Sequence, residues 1–202
     1  IMARIYDAIK NQVNHEMIKN AASVLREDDS KVSSAVKAIL PSQLAMLFKK
    51  CNDKDISELV QDAGRKNLLS YKDQLFDGSG VIDGVNYGER FENALVGSQN
   101  SEFPRAIAAE TGISHESADR LSNWVAGLTL GYIANRVVKE KQSMSTVMNE
   151  LSQEKNTIYD DIPARIARVL GITTPKGDNN NTNSSTAAKQ PEKKRGMNWI
   201  RW

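Results

Sequence analysis

The chain has 202 residues, of which 40% are hydrophobic and only 6% are aromatic. This length fits one domain of about 170 residues plus a tail, and a core of Ala, Leu, Ile and Val favours packed helices over a β-sandwich. Residues 173–202 contain six Lys/Arg and two Asp/Glu, which leaves the tail at +4 and the body at −2. A slightly acidic body argues against a class of proteins that binds nucleic acid through clustered positive charge.

The single cysteine, Cys51, excludes an intrachain disulfide within this sequence and is typical of a reducing compartment. The first residues contain no apolar stretch of signal-peptide length, so we expect no secretion. The two histidines, His15 and His115, have no carboxylate or thiol at the spacing of a metal site.

Apolar residues recur every three or four positions along residues 5–25, which predicts an amphipathic helix or a bent pair of helices. Asp28 can cap the next helix, whose apolar pattern contains Pro41. Since proline removes a helical hydrogen bond, we expect a kink or a break there. Two further helices are predicted over residues 55–63, ending near Gly64, and over residues 67–76.

The only glycine-rich stretch of the body is DGSGVIDGVNYG, residues 77–88. A phosphate-binding loop needs a strand before it and a helix with Lys-Ser/Thr after it. Neither is present, so we interpret the stretch as a turn-rich connection. A short helix over residues 87–96, ending at Gly97, is expected to follow.

Residues 105–132 have the pattern of helix, tight turn and helix, with Gly112 ending the first helix and Ser114 capping the second. A shift of 86 residues aligns Ala22 with Ala108 and Ile39 with Val125. The pattern therefore predicts two homologous units, at about residues 15–60 and 101–146. Further helices are predicted after Ser143 and from Pro163 to a stop at Gly171. We expect an all-α fold of eight to ten helices.

After residue 172 the sequence loses its apolar periodicity. Residues 173–192 are rich in Asn, Ser and Thr and are expected to form a disordered linker. Residues 193–202 combine basic and aromatic side chains, which is typical of the cytoplasmic flank of a membrane helix. The possible membrane-surface contacts are Lys193, Lys194, Arg195, Trp199, Arg201 and Trp202.

The helix–turn–helix pattern also raises the alternative of DNA binding. The second helix of residues 105–132, however, offers His115, Glu116, Asp119 and a single arginine, Arg120. Carboxylates repel phosphates, and one arginine makes at most one strong guanine contact. No catalytic constellation is evident either, so we expect no enzyme, no cofactor, no metal and no small-molecule substrate.

Four stretches carry a family resemblance: VSSAVKAILPSQLAMLF at 32–48, NALVGS at 93–98, IAAETGISHESADRLSNWVAGLTLGYI at 107–133 and IPARIARVLG at 162–171. Over residues 2–172 the chain resembles the YidB-like bacterial domain family, which has no established biochemical function. The resemblance implies a multihelical domain with a duplicated homeodomain-like unit. Arg26 and Glu27 depart from the usual glycine-hydrophobic turn, so the first turn is expected to be longer or more open.

In some relatives this domain is followed by one membrane span and a peptidoglycan-binding domain similar to the C-terminal part of outer membrane protein A. The resemblance thus implies a domain at the cytoplasmic face of the bacterial inner membrane. Our first hypothesis is a non-enzymatic interaction domain of a membrane-anchored cell-envelope protein, which binds a protein partner or self-associates. The alternative is a nucleic-acid-binding regulator that uses the paired helix–turn–helix units.

Overall fold

The computed structural model describes residues 4–77 and 82–173. All regular elements in these ranges are helical, which confirms the all-α prediction. Eleven α-helices lie in the described part of the chain, and short 3₁₀ segments follow α4 and α6. The helices are α1 (Ile5–Gln12), α2 (His15–Leu25), α3 (Asp29–Lys50), α4 (Lys54–Arg65), α5 (Lys72–Leu75), α6 (Ile82–Val96), α7 (Glu102–Thr111), α8 (His115–Ala134), α9 (Met144–Ser152), α10 (Lys155–Asp160) and α11 (Ala164–Val169).

Helix α8 is the centre of the fold. It packs against α3, α4, α6 and α7, and Leu121, Val125 and Leu130 on it are fully buried. From Leu121 onwards almost every residue of α8 is buried, on all sides of the helix. A helix with apolar residues on all its faces is typically buried among other helices. Helix α8 therefore positions α3, α4, α6 and α7 relative to one another.

Side-chain caps fix the start of several helices. The Asn14 Oδ1 accepts a hydrogen bond of 2.9 Å from the Met17 N–H and so starts α2. This cap separates α1 from α2, so residues 5–25 form the bent pair and not one helix. The hydroxyl of Ser114 accepts from the Ser117 N–H at 3.1 Å, which confirms the predicted cap of α8.

The two predicted helix–turn–helix units have matching turns. Gly112 closes α7 in the left-handed conformation with φ of 76°, and Arg26, 86 residues earlier, closes α2 with φ of 57°. Helix α3 likewise begins 86 residues before α8. The expectation of a longer or more open first turn was therefore wrong, because an arginine can adopt the left-handed conformation at a modest energetic cost. The homeodomain-like character of the repeats stays a prediction.

Helix α3 continues through Pro41 as one helix of 22 residues, so the predicted break does not occur. An interior proline costs about 3 kcal/mol because it removes a hydrogen bond and crowds the preceding turn. Helices α2, α6, α7 and α8 all pack on α3 and hold it in place. The Ser42 hydroxyl donates to the Ala38 carbonyl at 2.7 Å, just after the proline.

Other boundaries also differ from the predictions. Helix α6 begins at Ile82, five residues before the predicted start, so residues 82–88 of the predicted connection are helical. Helix α4 does end near Gly64 as predicted, at Arg65, although Gly64 itself is buried beside Val138. The residues after Ser143 form two helices, α9 and α10. The turn between them places the Glu154 carboxylate against the N–H of Tyr6, at 3.0 Å.

Candidate functional site

The candidate site is a groove with a cavity of about 370 Å³. It lies between α1, α2 and α3, beside the turn that joins α10 to α11. The walls are mostly aliphatic, the floor is a tyrosine, and the rim carries two lysines. The lining residues are Tyr6, Lys10, Val13, Ile18, Ser33, Val36, Lys37, Leu40, Pro41 and Asp161.

The floor of the groove is tied to the C-terminal helices through Tyr6. This side chain is 2% exposed, and its hydroxyl donates to the Asp161 Oδ2 at 2.7 Å. Burial, followed by the hydrogen bond to Asp161, raises the pKa of Tyr6 above its ordinary value. The hydroxyl therefore stays protonated and acts as a fixed donor. The bonds of Tyr6 to Asp161 and to Glu154 hold α1 in place and give the groove a rigid base.

The two lysines of the rim differ in their surroundings. Lys10 forms an ion pair of 3.2 Å with Asp7 and lies 4.3 Å from the centre of the Tyr6 ring. Lys37 is exposed on α3 and has no ion pair or hydrogen bond with a side chain among the described residues. A smaller hollow of about 260 Å³ continues from Lys37 along α3 to the end of α7. The groove therefore carries the positive charge of Lys37 at its rim together with the negative charge of Asp161, whose hydrogen-bond donor, the Tyr6 hydroxyl, is neutral.

A second polar cluster is buried where α3, α6 and α8 meet. The carboxylate of Glu92 accepts from the Ser122 hydroxyl at 2.5 Å and from the Gln43 Nε2 at 2.6 Å. The same Gln43 nitrogen donates to the Ser122 carbonyl at 2.9 Å, and Gln43 Oε1 has no hydrogen-bond partner. The three side chains are between 0 and 3% exposed. They connect the three longest helices through polar bonds instead of apolar contacts.

The environment of Glu92 disfavours a negative charge. Burial raises the pKa of this carboxyl to about 7, although the hydrogen bonds from Ser122 and Gln43 act in the opposite direction. The nearby charge of Asp119 raises the pKa further. A buried acid with such a pKa can mark a functional site. Here the cluster is closed on all sides by helices, so we interpret it as structural.

The surface needed for DNA binding is small. Beyond their first two or three turns, both α3 and α8 are almost fully buried. The exposed residues of α8 are His115, Glu116, Asp119 and Arg120. The guanidinium of Arg120 lies 5.3 Å from the centre of the Trp124 ring. In the first unit, Glu27 bridges to the second: it accepts from the Ser114 N–H at 2.7 Å, which lowers the pKa of its carboxyl.

Other residues weighed in the sequence lie apart from the groove or have structural partners. Cys51 is half-buried at the end of α3, with its thiol 3.7 Å from the Phe48 carbonyl. Asp161 follows the end of α10, lines the groove and accepts a hydrogen bond from the Tyr6 hydroxyl. Within residues 4–77 and 82–173, no group of three or more His, Cys, Asp or Glu side chains is arranged to hold a metal ion.

None of the helices in the described part of the chain combines the length and the apolar composition that a bilayer crossing needs. The predicted membrane-surface residues, Lys193, Lys194, Arg195, Trp199, Arg201 and Trp202, lie outside the described residues. The same holds for most of the predicted linker, residues 173–192. Both therefore stay predictions.

Comparison with known proteins identifies the family. The model described as "Bacterial protein of unknown function (DUF937)" matches residues 7–136, which is more than half of the chain. The chain belongs to this family. No significant match was found among curated proteins or among solved structures. The family match does not bear on the YidB-like name, on a membrane span or on a peptidoglycan-binding domain.

The matched range contains α2, α3, α6, α7 and α8, and hence both helix pairs and the buried Glu92 cluster. It also contains every residue that lines the groove except Tyr6 and Asp161, which bond to each other across it. The groove is not evident from the sequence. Val13 belongs to the apolar pattern of residues 5–25, and Lys37 interrupts the apolar pattern of α3 without indicating what it faces.

Proposed function

We propose that this chain is a non-enzymatic docking module of a membrane-anchored cell-envelope protein, working at the cytoplasmic face of the bacterial inner membrane. The observation that carries the proposal is the groove beside α3, an open apolar surface on a rigid base. Exposed apolar grooves on a folded domain are typical of sites that bind other proteins. Four titratable side chains line the groove, and three of them already have partners within the chain: Tyr6 and Asp161 are bonded to each other, and Lys10 is paired with Asp7.

The docking proposal is tested by filling the groove. Ser33 is half-buried in the groove wall, so the Ser33→Trp variant places an indole in the cavity without entering the core. Proteins that the wild-type chain retains from a lysate of its own bacterium should be lost from Ser33→Trp. The matched control is Ser57→Trp, at an exposed serine of α4. Equal retention by all three chains would show that the groove is not the docking site.

The proposed tether is the basic and aromatic end of the chain. Lysines and arginines near an anionic bilayer each contribute about 1 kcal/mol of binding free energy. Replacing Lys193, Lys194 and Arg195 by glutamate should therefore weaken binding to phosphatidylglycerol vesicles by on the order of 100-fold or more, as measured by co-sedimentation. A control with the same charge change replaces the exposed Lys19, Lys54 and Arg105. Similar losses in both variants would indicate a general charge effect and contradict the tether.

The nucleic-acid alternative receives no support from the surface of the second helices, where carboxylates lie beside the single arginine of α8. The docking proposal does not depend on the two helix pairs being homologous. It depends on α1, α2 and α3 enclosing the same groove in solution.

A further inference from the structure

We propose that the groove binds an extended, uncharged apolar segment of a partner protein, with an aliphatic side chain in the cavity and main-chain groups of the segment at Lys37 and Asp161. This inference rests on the docking function and names the chemistry of the partner. The evidence is the position of two opposite charges where the groove meets the smaller hollow.

Lys37 and Asp161 each line both the groove and the smaller hollow, so they lie where the two hollows meet. Lys37 is on α3, and Asp161 is in the turn between α10 and α11. Both residues are exposed, and none of the ion pairs among the described residues joins them. Asp161 accepts a hydrogen bond from Tyr6, but this donor is a neutral hydroxyl, so the carboxylate keeps its charge and its second oxygen can accept from an occupant. A chain that runs from one hollow into the other therefore passes a cation and an anion.

The other charged side chains around the two hollows are already paired. Lys10 lies 3.2 Å from Asp7, and Glu110 lies 3.7 Å from Arg165. The two groups at the junction have opposite signs, so the lining has no excess of either charge. A charged side chain placed there would be attracted by one of these groups and repelled by the other. The lining therefore favours an uncharged occupant that donates to the carboxylate and accepts from the ammonium.

An extended peptide meets this requirement without charged side chains. Its main chain presents carbonyl and N–H groups on both sides, so a carbonyl can accept from Lys37 and an N–H can donate to Asp161. A helical segment is less suitable, because its interior N–H and carbonyl groups are bonded to each other. Extended segments in known complexes gain affinity from main-chain hydrogen bonds and specificity from pockets that receive alternate side chains.

The size of the groove suits a short stretch of such a chain. Its wall on α3 runs from Ser33 to Leu40, which is about 10 Å along the helix and matches about three residues of extended chain. The cavity of about 370 Å³ is near the lower end of the range for small-molecule sites, about 300–1,000 Å³. It therefore has room for an aliphatic side chain, while the main chain continues across the junction into the smaller hollow.

The inference is tested with the full chain and a short synthetic peptide of alternating leucine and glutamine, with blocked ends and a neutral fluorophore. Binding is measured by fluorescence anisotropy. Lys37→Met removes the ammonium and keeps an aliphatic stem, so we expect it to weaken binding about tenfold. The matched control is Lys54→Met, at an exposed lysine of α4, which should leave binding unchanged.

Recognition of the main chain is tested by methylating each peptide nitrogen in turn. Methylation of the nitrogen that donates to Asp161 should weaken binding to the wild type about tenfold. The same methylation should have a much smaller effect on binding to Asp161→Asn, in which the charged acceptor is absent. Asparagine can still accept from the Tyr6 hydroxyl through its side-chain oxygen, so the floor of the groove is retained. Such coupling between a change in the peptide and a change in the protein identifies the two groups as partners.

Failure of the peptide to bind would overturn the inference, and so would methylation effects of the same size in the wild type and in Asp161→Asn. A tenfold preference for a peptide with glutamate or lysine in place of glutamine would also overturn it, since the occupant would then be a charged segment. The Ser33→Trp capture experiment concerns any protein that occupies the groove. If capture depends on the open groove while the peptides fail, the docking function stands and only the extended uncharged segment is wrong.

Discussion

Replacing Glu92 by glutamine should raise the free energy of unfolding at pH 8 by about 3 kcal/mol and change it little at pH 4. Burial raises the pKa of the Glu92 carboxyl from its ordinary 4.5 to about 7 in the folded protein. Each pKa unit corresponds to about 1.4 kcal/mol. The folded protein therefore loses stability through this group as the pH rises from about 4.5 to 7, because the folded state holds a proton that the unfolded state releases.

Glutamine is the matched neutral replacement for the protonated acid. Its carbonyl can accept from the Gln43 amide, as Glu92 Oε2 does, and its amide can donate to the Ser122 hydroxyl. The hydrogen bonds between α3, α6 and α8 are thus retained, while the cost of burying a charge at neutral pH is removed.

The measurement is urea unfolding of the wild type and of Glu92→Gln at several pH values from 4 to 8. The difference between the two chains isolates Glu92 from other groups, such as Glu27, whose lowered pKa acts on stability in the opposite direction. The control is Glu89→Gln, at an exposed carboxylate of the same helix. A constant difference between wild type and Glu92→Gln across this pH range would mean that folding does not change the pKa of Glu92.

Helices were predicted well where apolar residues recur at helical spacing and a capping residue precedes the first of them. Ser114 and Ser143 start α8 and α9 as expected, because a hydroxyl before an apolar run satisfies the first free N–H groups locally. Gly112 ends α7 for a similarly local reason, its left-handed backbone. These helix ends depend on residues within one turn of each other, so they can be predicted from the local sequence alone.

The predicted helix boundaries differ from the structure where contacts between distant segments determine the local conformation. Of the kink or break expected at Pro41, the break does not occur, because the packing of six helices against α3 outweighs one missing hydrogen bond. Residues 82–86 were assigned to a turn-rich connection, but they belong to α6, and Gly88 lies where that helix approaches α8. A pattern of glycines indicates freedom of the backbone and does not show whether that freedom serves a turn or a close contact.

The groove and the buried cluster also come from tertiary contacts. The bond from Tyr6 to Asp161 joins residues 155 positions apart, and no local signal connects them. A signal for the cluster was present: Glu92 lies four residues after Gly88 and four before Val96, on the buried stripe of α6. A polar residue on an apolar stripe predicts a buried hydrogen-bond network, but it does not identify the partners on other helices.

Replacing Gly88 by alanine should lower the free energy of unfolding by about 2 kcal/mol or more. A Cβ at this position would overlap the carbonyl oxygen of Asn123 and lie 3.1 Å from the backbone nitrogen of Gly127, both on α8. These are backbone atoms of a helix that is buried along most of its length, so they cannot rotate away. Overpacking of this kind costs about 1–3 kcal/mol, occasionally more.

The effect of helix propensity has the opposite sign, which makes the prediction sharp. Alanine favours a helix interior over glycine by about 1 kcal/mol, so without the contact Gly88→Ala would stabilise α6. The control Glu89→Ala, at an exposed position of the same helix, should change stability by no more than about 0.5 kcal/mol. Both variants are measured by urea unfolding at pH 7. Greater stability of Gly88→Ala would mean that α6 and α8 lie further apart than the structure places them. The cluster of Glu92, Gln43 and Ser122 spans the same interface, so its hydrogen bonds would then be longer as well.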